Sequence, residues 1–316
     1  MGSEMCIRDR NLTGTLSPAV AVSGTTTQID VNFGQRPFTY TPPSGYKALC
    51  TTNLPNSTIV KGGLYMDATT YTGTGSALSI TNAGGFKPDL VWIKSRSAVG
   101  SYHGLTDSVR GRASVLFSNA TDAEGTSASD KDVTSFNSNG FSLGVGNQYN
   151  NNTNGSTYVA WQWRAGEGTT SSGTGTGSIT NVVQSVNATA GFSVITYTGS
   201  GSAGTITHGL GVAPKMIIVK SRTTAGDEWC VWHTSLTNAT YYLYLNATAA
   251  QAVATTFWNS TAPTSSVINL GTDIRTNRSS GNFVCYAFAE ISGYSKFGSY
   301  TGNGSTDGPF VYLGFR

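Results

Sequence analysis

One short string is written three times in this chain. Tyr71-Thr72-Gly73-Thr74-Gly75-Ser76 returns as Tyr197-Thr198-Gly199-Ser200-Gly201-Ser202 and again as Tyr300-Thr301-Gly302-Asn303-Gly304-Ser305. A second string, Gly85-Phe86-Lys87-Pro88-Asp89-Leu90-Val91-Trp92-Ile93-Lys94-Ser95-Arg96, returns as Gly211-Val212-Ala213-Pro214-Lys215-Met216-Ile217-Ile218-Val219-Lys220-Ser221-Arg222. Both strings recur at an offset of 126 residues (71 to 197, 94 to 220), so no net residue was gained or lost between them. An interval of that length is too long for a solenoid unit and suits whole domains in series. The third copy reaches Arg316 one residue before the next proline is due, and the chain is expected to be cut within that copy. Positions kept in both full copies read as scaffold, and positions present in one copy as candidates for a copy-specific role.

The length, 316 residues, agrees with about two domains at roughly 150 residues each. Only 11% of residues are charged while 11% are aromatic. A disordered chain shows the opposite balance, high charge with few aromatics. β-Branched and aromatic residues set between Gly and Asn turns point to β-structure with a polar, uncharged surface. The net charge is +3 and the basic residues are scattered, unlike the clustered footprint of a nucleic-acid binder. No apolar run approaches the roughly 20 residues of a membrane span, so neither nucleic acid nor membrane insertion is expected. Cys6, Cys50, Cys230 and Cys285 form no CxxC pair, and Cys285 falls where the first copy has Ala160. A small buried thiol is the reading there.

Residues 1–10 are charged, differ in style from everything after them, resemble a translated adapter sequence, and are expected to be an artefact. Residues 56–166 form the first repeat, 167–190 a Gly/Ser/Thr linker that need not dock the repeats rigidly, 191–295 the second repeat, and 296–316 the start of a third. Leu90 to Lys94 and Met216 to Lys220 are continuous apolar runs, as expected of strands covered on both faces. Val115 to Phe117 and Tyr242 to Leu245 read as further strands, and Asn139-Gly140 as a tight hairpin turn. Helical periodicity appears nowhere. The fold class expected is all-β, with sandwich domains in tandem.

Two resemblances extend this reading. Asn32-Phe33-Gly34-Gln35-Arg36-Pro37-Phe38, followed by Pro42-Pro43-Ser44-Gly45-Tyr46-Lys47-Ala48-Leu49, resembles the closing strands of SPRY-type β-sandwich domains of bacteriophage virion proteins, making 11–55 a remnant of such a domain. The strings Phe86 to Lys94, Leu105 to Gly111, Ser135 to Phe141 and Tyr158 to Trp163 look like a domain of unknown function that occurs in tandem in phage tail-fibre and other virion proteins. The resemblance implies a concanavalin-A-like or jelly-roll sandwich in a phage particle, with no established activity.

Trp161 and Trp163 sit two apart, so on a strand both indoles face one side, and the second copy has Tyr286 and Phe288 there. Interchange among large rings fits core packing better than a sugar platform. His103 and His233 occupy similar places if a few residues of loop difference are allowed, and read as scaffold. Asp107 and Arg110 belong to the first copy alone; they are either an ion pair fixing a loop or a carboxylate and guanidinium presented to a polar ligand. The Asn-rich loop containing Asn147, Tyr149 and Asn151 could pair with sugar hydroxyls and stack on a ring, or be a solvated hairpin loop. Glycoside cleavage would need two carboxylates about 5 to 9.5 Å apart, and no spacing among Asp107, Asp122, Glu124 and Asp132 marks such a pair. No catalytic residue, cofactor or metal is expected.

The expected protein is therefore a non-enzymatic structural and adhesive component of a phage tail fibre or related virion appendage. Its partners would be other tail proteins and host-surface glycan, bound through weak contacts multiplied by repetition and homotrimer formation. The alternative is a tail-associated glycan depolymerase.

Overall fold

The computed structural model describes residues 36–41, 44, 57–145, 148–149, 151–173, 177–179 and 181–313. The chain divides into two compact units, residues 1–54 and 55–316. The strands expected in the SPRY-like stretch lie almost entirely outside the described residues. Both full repeats belong to the second unit, which is all-β apart from single helical turns.

The first repeat contributes nine strands: β1 (Met66–Thr72), β2 (Leu78–Thr81), β3 (Leu90–Ser95), β4 (His103–Asp107), β5 (Ser114–Phe117), β6 (Gly125–Thr126), β7 (Val133–Asn137), β8 (Gly140–Leu143) and β9 (Thr157–Trp163). They form an antiparallel sheet in the order β1-β9-β3-β4-β5-β6 and a smaller one in the order β2-β8-β7. The linker adds β10 (Ser171–Ser172) and β11 (Val183–Asn187). The second repeat follows with β12 (Phe192–Thr198), β13 (Gly204–Thr207), β14 (Met216–Ser221), β15 (Cys230–His233), β16 (Tyr241–Tyr244), β17 (Ala252–Val253), β18 (Val267–Leu270) and β19 (Asn282–Phe288). Its large sheet runs β10-β11-β12-β19-β14-β15-β16-β17 and its small sheet β13-β18. The order β12-β19-β14-β15-β16-β17 repeats β1-β9-β3-β4-β5-β6 strand for strand, so the duplicated sequence is a duplicated topology. Repeat 2 lacks a counterpart of β7, and a turn carrying Phe257 and Trp258 fills the core instead.

Side chains alternate across a strand with period two, and both faces of each large sheet are used. In repeat 1 one face carries Val91, Ile93, Tyr158 and Ala160 against Ile80, Val133, Phe141 and Leu143 of the small sheet. In repeat 2 the matching face packs Ile195, Ile217, Val219, Phe283 and Cys285 against Ile206, Ile268 and Leu270. The opposite faces meet each other: Leu90, Leu105 and Leu116 of repeat 1 join Val194, Ile218, Trp229, Val284 and Tyr286 of repeat 2 in a third core. This is why the β3 and β14 runs are continuously apolar. The two repeats are one packed body, although the composition of the linker does not by itself require them to dock rigidly. Asp89 explains part of this. Its buried carboxylate accepts from the backbone N–H of Ala165, Glu167 and Gly168 (2.7–2.8 Å) and from Ser108 and Ser185 Oγ, pinning the start of the linker to repeat 1.

The β7–β8 hairpin forms as expected, but Ser138-Asn139 makes the turn and Gly140 is the first paired residue, at φ 148°. A Cβ there would lie 2.0 Å from Ile80 O. One helical turn the periodicity does not show, α1 (Ile274–Asn277), begins at Asp273, whose side chain accepts from Arg275 N.

Candidate functional site

The recurrent Tyr-Thr-Gly-x-Gly-Ser string is a clamp. In repeat 1 the buried Asn152 accepts from Thr74 N through Oδ1 (2.9 Å) and donates from Nδ2 to Ser76 O (2.7 Å) and Gly144 O (2.9 Å). In repeat 2 the buried Asn277 accepts from Ser200 N (2.8 Å) and donates to Ser202 O and Gly271 O (both 2.7 Å). Tyr71 stacks on Tyr158 at 5.0 Å and its hydroxyl donates to Asn151 O; Tyr197 stacks on Phe283 at 5.2 Å and donates to Thr276 O. Each glycine has its own reason. A Cβ on Gly73 or Gly199 would lie 2.4 Å from Thr153 O or 2.2 Å from Arg278 O, and Gly75 and Gly201 stand at φ 68° and 71°. The third copy keeps the turn, with Gly304 at φ 68° and Ser305 N donating to Asn303 Oδ1, while Tyr300 is exposed.

Asp107 and Arg110 come together inside the seam between the repeats, with both side chains at 0% exposure. Arg110 Nε donates to Asp107 Oδ2, Nη1 to Glu124 Oε2 (2.9 Å), and Nη2 to Leu105 O (3.0 Å) and Tyr286 Oη (3.1 Å). Tyr286 donates in turn to Asp107 Oδ2 at 2.8 Å. Arg222 of repeat 2 grips Glu124 with Nε and Nη2 (2.9 and 2.8 Å). Burial alone would lower the Arg110 pKa, but Asp107, Tyr286 and Glu124 outweigh it and hold the guanidinium charged. Burial likewise pushes Glu124 up, and its bonds to Arg222 and Arg110 bring it below its ordinary value. This geometry is the ion-pair reading of Asp107 and Arg110: a ligand could reach them only by parting the repeats.

Within the Asn-rich loop, Asn151 and Asn152 turn inward and are buried. Asn147 lies outside the described residues. Tyr149 is half-buried, its ring edge-on to Phe117 at 5.0 Å and its N–H donating to Asp132 Oδ1. Asn151 is buried, and its Oδ1 meets no donor among the described residues. Of the three loop residues offered as a sugar platform, only Tyr149 is described with any exposed surface.

The aromatic pair on β9 divides: Trp163 packs across the seam, and Trp161 packs against its own repeat. Tyr158, Ala160 and Gln162 take the inner face, leaving Trp161 and Trp163 half-buried on the outer one. Trp163 lies 6.1 Å from Phe288 and 6.2 Å from Phe192 across the seam, and Trp161 sits edge-on to Trp92 at 5.9 Å. Strand register corrects the histidine alignment. Leu90 pairs with Asp107 and Met216 with His233, so His233 stands where repeat 1 has Asp107, and His103 aligns with Trp229 at the unshifted offset of 126. Trp229 is fully buried and its Nε1 donates across the seam to Phe117 O at 2.8 Å. Cys230 and Cys285 are buried, and burial pushes both thiols up. Among the described residues no three His, Cys, Asp or Glu side chains gather as metal ligands.

Asp89 and its counterpart Lys215 carry no motif signal beyond their place in the repeated string. The sign change from carboxylate to ammonium at one aligned position is the trace by which they could have been found.

The architecture is thus an all-β body of two like halves joined face to face. Residues 61–316 match the model of the DUF7483 family, a domain of unknown function, and the chain belongs to that family. The match takes in both repeats, the linker and the opening of the third copy. No curated protein and no solved structure matches the chain.

Proposed function

We propose that this chain is a non-catalytic structural and adhesive module of a bacteriophage tail fibre or related virion appendage, built from lectin-like sandwiches of the concanavalin-A or jelly-roll kind. The carrying observation is the seam: the apolar faces of both large sheets and a network of two carboxylates and two arginines, with Asp107 and Arg110 fully buried, lock the repeats into one body. A fibre needs such stiffness, and an uncharged surface of Ser, Thr and Asn suits repeated shallow contacts with host glycan. The non-catalytic reading is supported by where the carboxylates lie. Asp107 and Glu124 are bound to Arg110, and Asp132 accepts from Ser127 Oγ and Tyr149 N. Hydrolysis of a glycoside requires two carboxyl groups free to flank the scissile bond.

Partners in this reading are other tail proteins, further copies of the chain in a homotrimer, and host-surface glycan. Antibodies raised against the purified chain should decorate tail appendages in electron micrographs of particles carrying this gene. Decoration of capsids alone, or of no particle, would sink the placement. Incubation with host polysaccharide should release no reducing ends; release above a heat-treated control would favour the depolymerase.

A further inference from the structure

Three surface grooves adjoin along the rim of repeat 2, where the chain leaves β19. One, of about 290 Å³, has Trp163, Phe288 and Phe297 in its wall. The next, of about 330 Å³, shares Lys296 with it and lies between Lys215 and Glu290. The third, also about 330 Å³, shares Lys215 and continues past Trp232, His233 and Asn238.

Three side chains lining the third groove, Lys215, His233 and Asn238, offer donors that make no hydrogen bond with the described residues. The Lys215 ammonium makes no ion pair or hydrogen bond with the described residues; the nearby carboxylate, Glu290, is held by Lys296 Nζ (2.7 Å) and Phe297 N (3.3 Å). His233 Nδ1 accepts from Ser235 N at 3.0 Å, which places the proton of the neutral ring on Nε2. Burial lowers the His233 pKa, so this neutral donor form prevails at neutral pH. Asn238 spends its Oδ1 on Thr240 N and Oγ1, leaving the amide NH₂ unengaged. A groove that offers three such donors, one of them cationic, is complementary to a ligand rich in acceptors and negatively charged. The first groove along the same rim, walled by Trp163, Phe288 and Phe297, suits the apolar face of a sugar ring.

We propose that this rim of repeat 2 binds an anionic saccharide, with Lys215 taking its acidic group and His233 and Asn238 donating to ring and hydroxyl oxygens. Repeat 1 has no such site, because its aligned residues Asp89 and Asp107 are sealed beneath the linker and in the seam. The inference rests on the adhesive reading above and gives it a place and a ligand class.

Calorimetric titration of the full chain with tetragalacturonate, a sulfated oligosaccharide of equal length and maltotetraose tests it, the first two separating a carboxylate source from a sulfate one. Binding of at least one anionic arm is expected, tenfold tighter than maltotetraose, weakened severalfold between 50 and 300 mM NaCl. Lys215→Gln should weaken it at least tenfold without moving the thermal midpoint, since the Lys215 side chain makes no hydrogen bond or ion pair with the described residues. Equal binding of all three saccharides, or anionic binding indifferent to Lys215→Gln, would overturn this site while leaving adhesion elsewhere on the chain standing. Silence from every arm with a natively melting protein would overturn it too, and a glycan array would then decide the adhesive reading separately.

Discussion

Asn277→Ala is the most direct test of why the repeated string exists. The wild-type amide sits fully buried with three bonds to backbone groups, Ser200 N, Ser202 O and Gly271 O, at 2.7–2.8 Å. Truncation leaves one N–H and two carbonyls without their side-chain partner in a site too tight to admit water freely. At a net 0.5–1.5 kcal/mol per bond, and more where a buried group stays unsatisfied, the loss should be about 3 kcal/mol. Asn152→Ala should cost a similar amount, because Asn152 makes the same three bonds at 2.7–2.9 Å. Guanidinium denaturation followed by tryptophan fluorescence reads both, with wild type and variants compared at equal slope. Asn277→Asp adds a sign. Its new carboxylate oxygen would face Ser202 O and Gly271 O, so folding would favour the protonated acid and raise its pKa above the ordinary 3.9 or so. An acid with a raised folded pKa loses stability as pH climbs from the unfolded value toward the folded one. Asn277→Asp should therefore be less stable at pH 8 than at pH 4 relative to wild type at each pH. A loss below about 1 kcal/mol for both alanine variants would refute the clamp, as would a pH-independent Asn277→Asp.

The seam makes its own predictions. Arg110→Ala strands Asp107 in a buried site and should cost about 3–5 kcal/mol by the same denaturation assay, whereas Asp107→Leu with Arg110→Met should cost less than Arg110→Ala alone. Glu124 is held below its ordinary 4.5, so its contribution is complete above that pH and lost as pH falls through the lowered folded value. Acid titration should thus expose seam residues such as Trp229 below about pH 4, read as a red shift of tryptophan emission and suppressed in Glu124→Gln. Asp89→Asn replaces an acceptor of five donors with an amide and should cost about 2 kcal/mol, with faster proteolytic cleavage within residues 165–173 as the local signature.

Much of this body was legible in sequence because strands leave a period and a duplication leaves an offset. The continuous runs at Leu90 and Met216 signalled strands covered on both faces, and they are, although the cover on the second face is the other repeat. That identity was hidden: a residue buried by its own sandwich and one buried by a neighbouring sheet look the same in a string, as Tyr158 and Trp163 show. Linker composition was silent on this docking for a related reason. Residues 167–173 have no apolar anchor, but they are held by hydrogen bonds to Asp89, a partner about eighty residues earlier that no local pattern announces. Asp107 and Arg110 were visible as an unusual pair in a charge-poor chain. Whether they met solvent or a partner depended on the placement of Glu124, Arg222 and Tyr286, which come from both repeats.

The places where the repeats differ follow from what covers them. At one offset, Asp89 answers to Lys215, Asp107 to His233 and Arg110 to Leu236, while the strand interiors on either side stay apolar. In repeat 1 the linker lies over Asp89 and repeat 2 closes over Asp107 and Arg110, so charges there must be paired within the fold. In repeat 2 the aligned Lys215 and His233 line open grooves. An isolated cation is tolerated there because water solvates it. Duplication thus gave one frame two environments: the covered copy turned its polar positions into fastenings, and the open copy kept donors that nothing in the described chain satisfies.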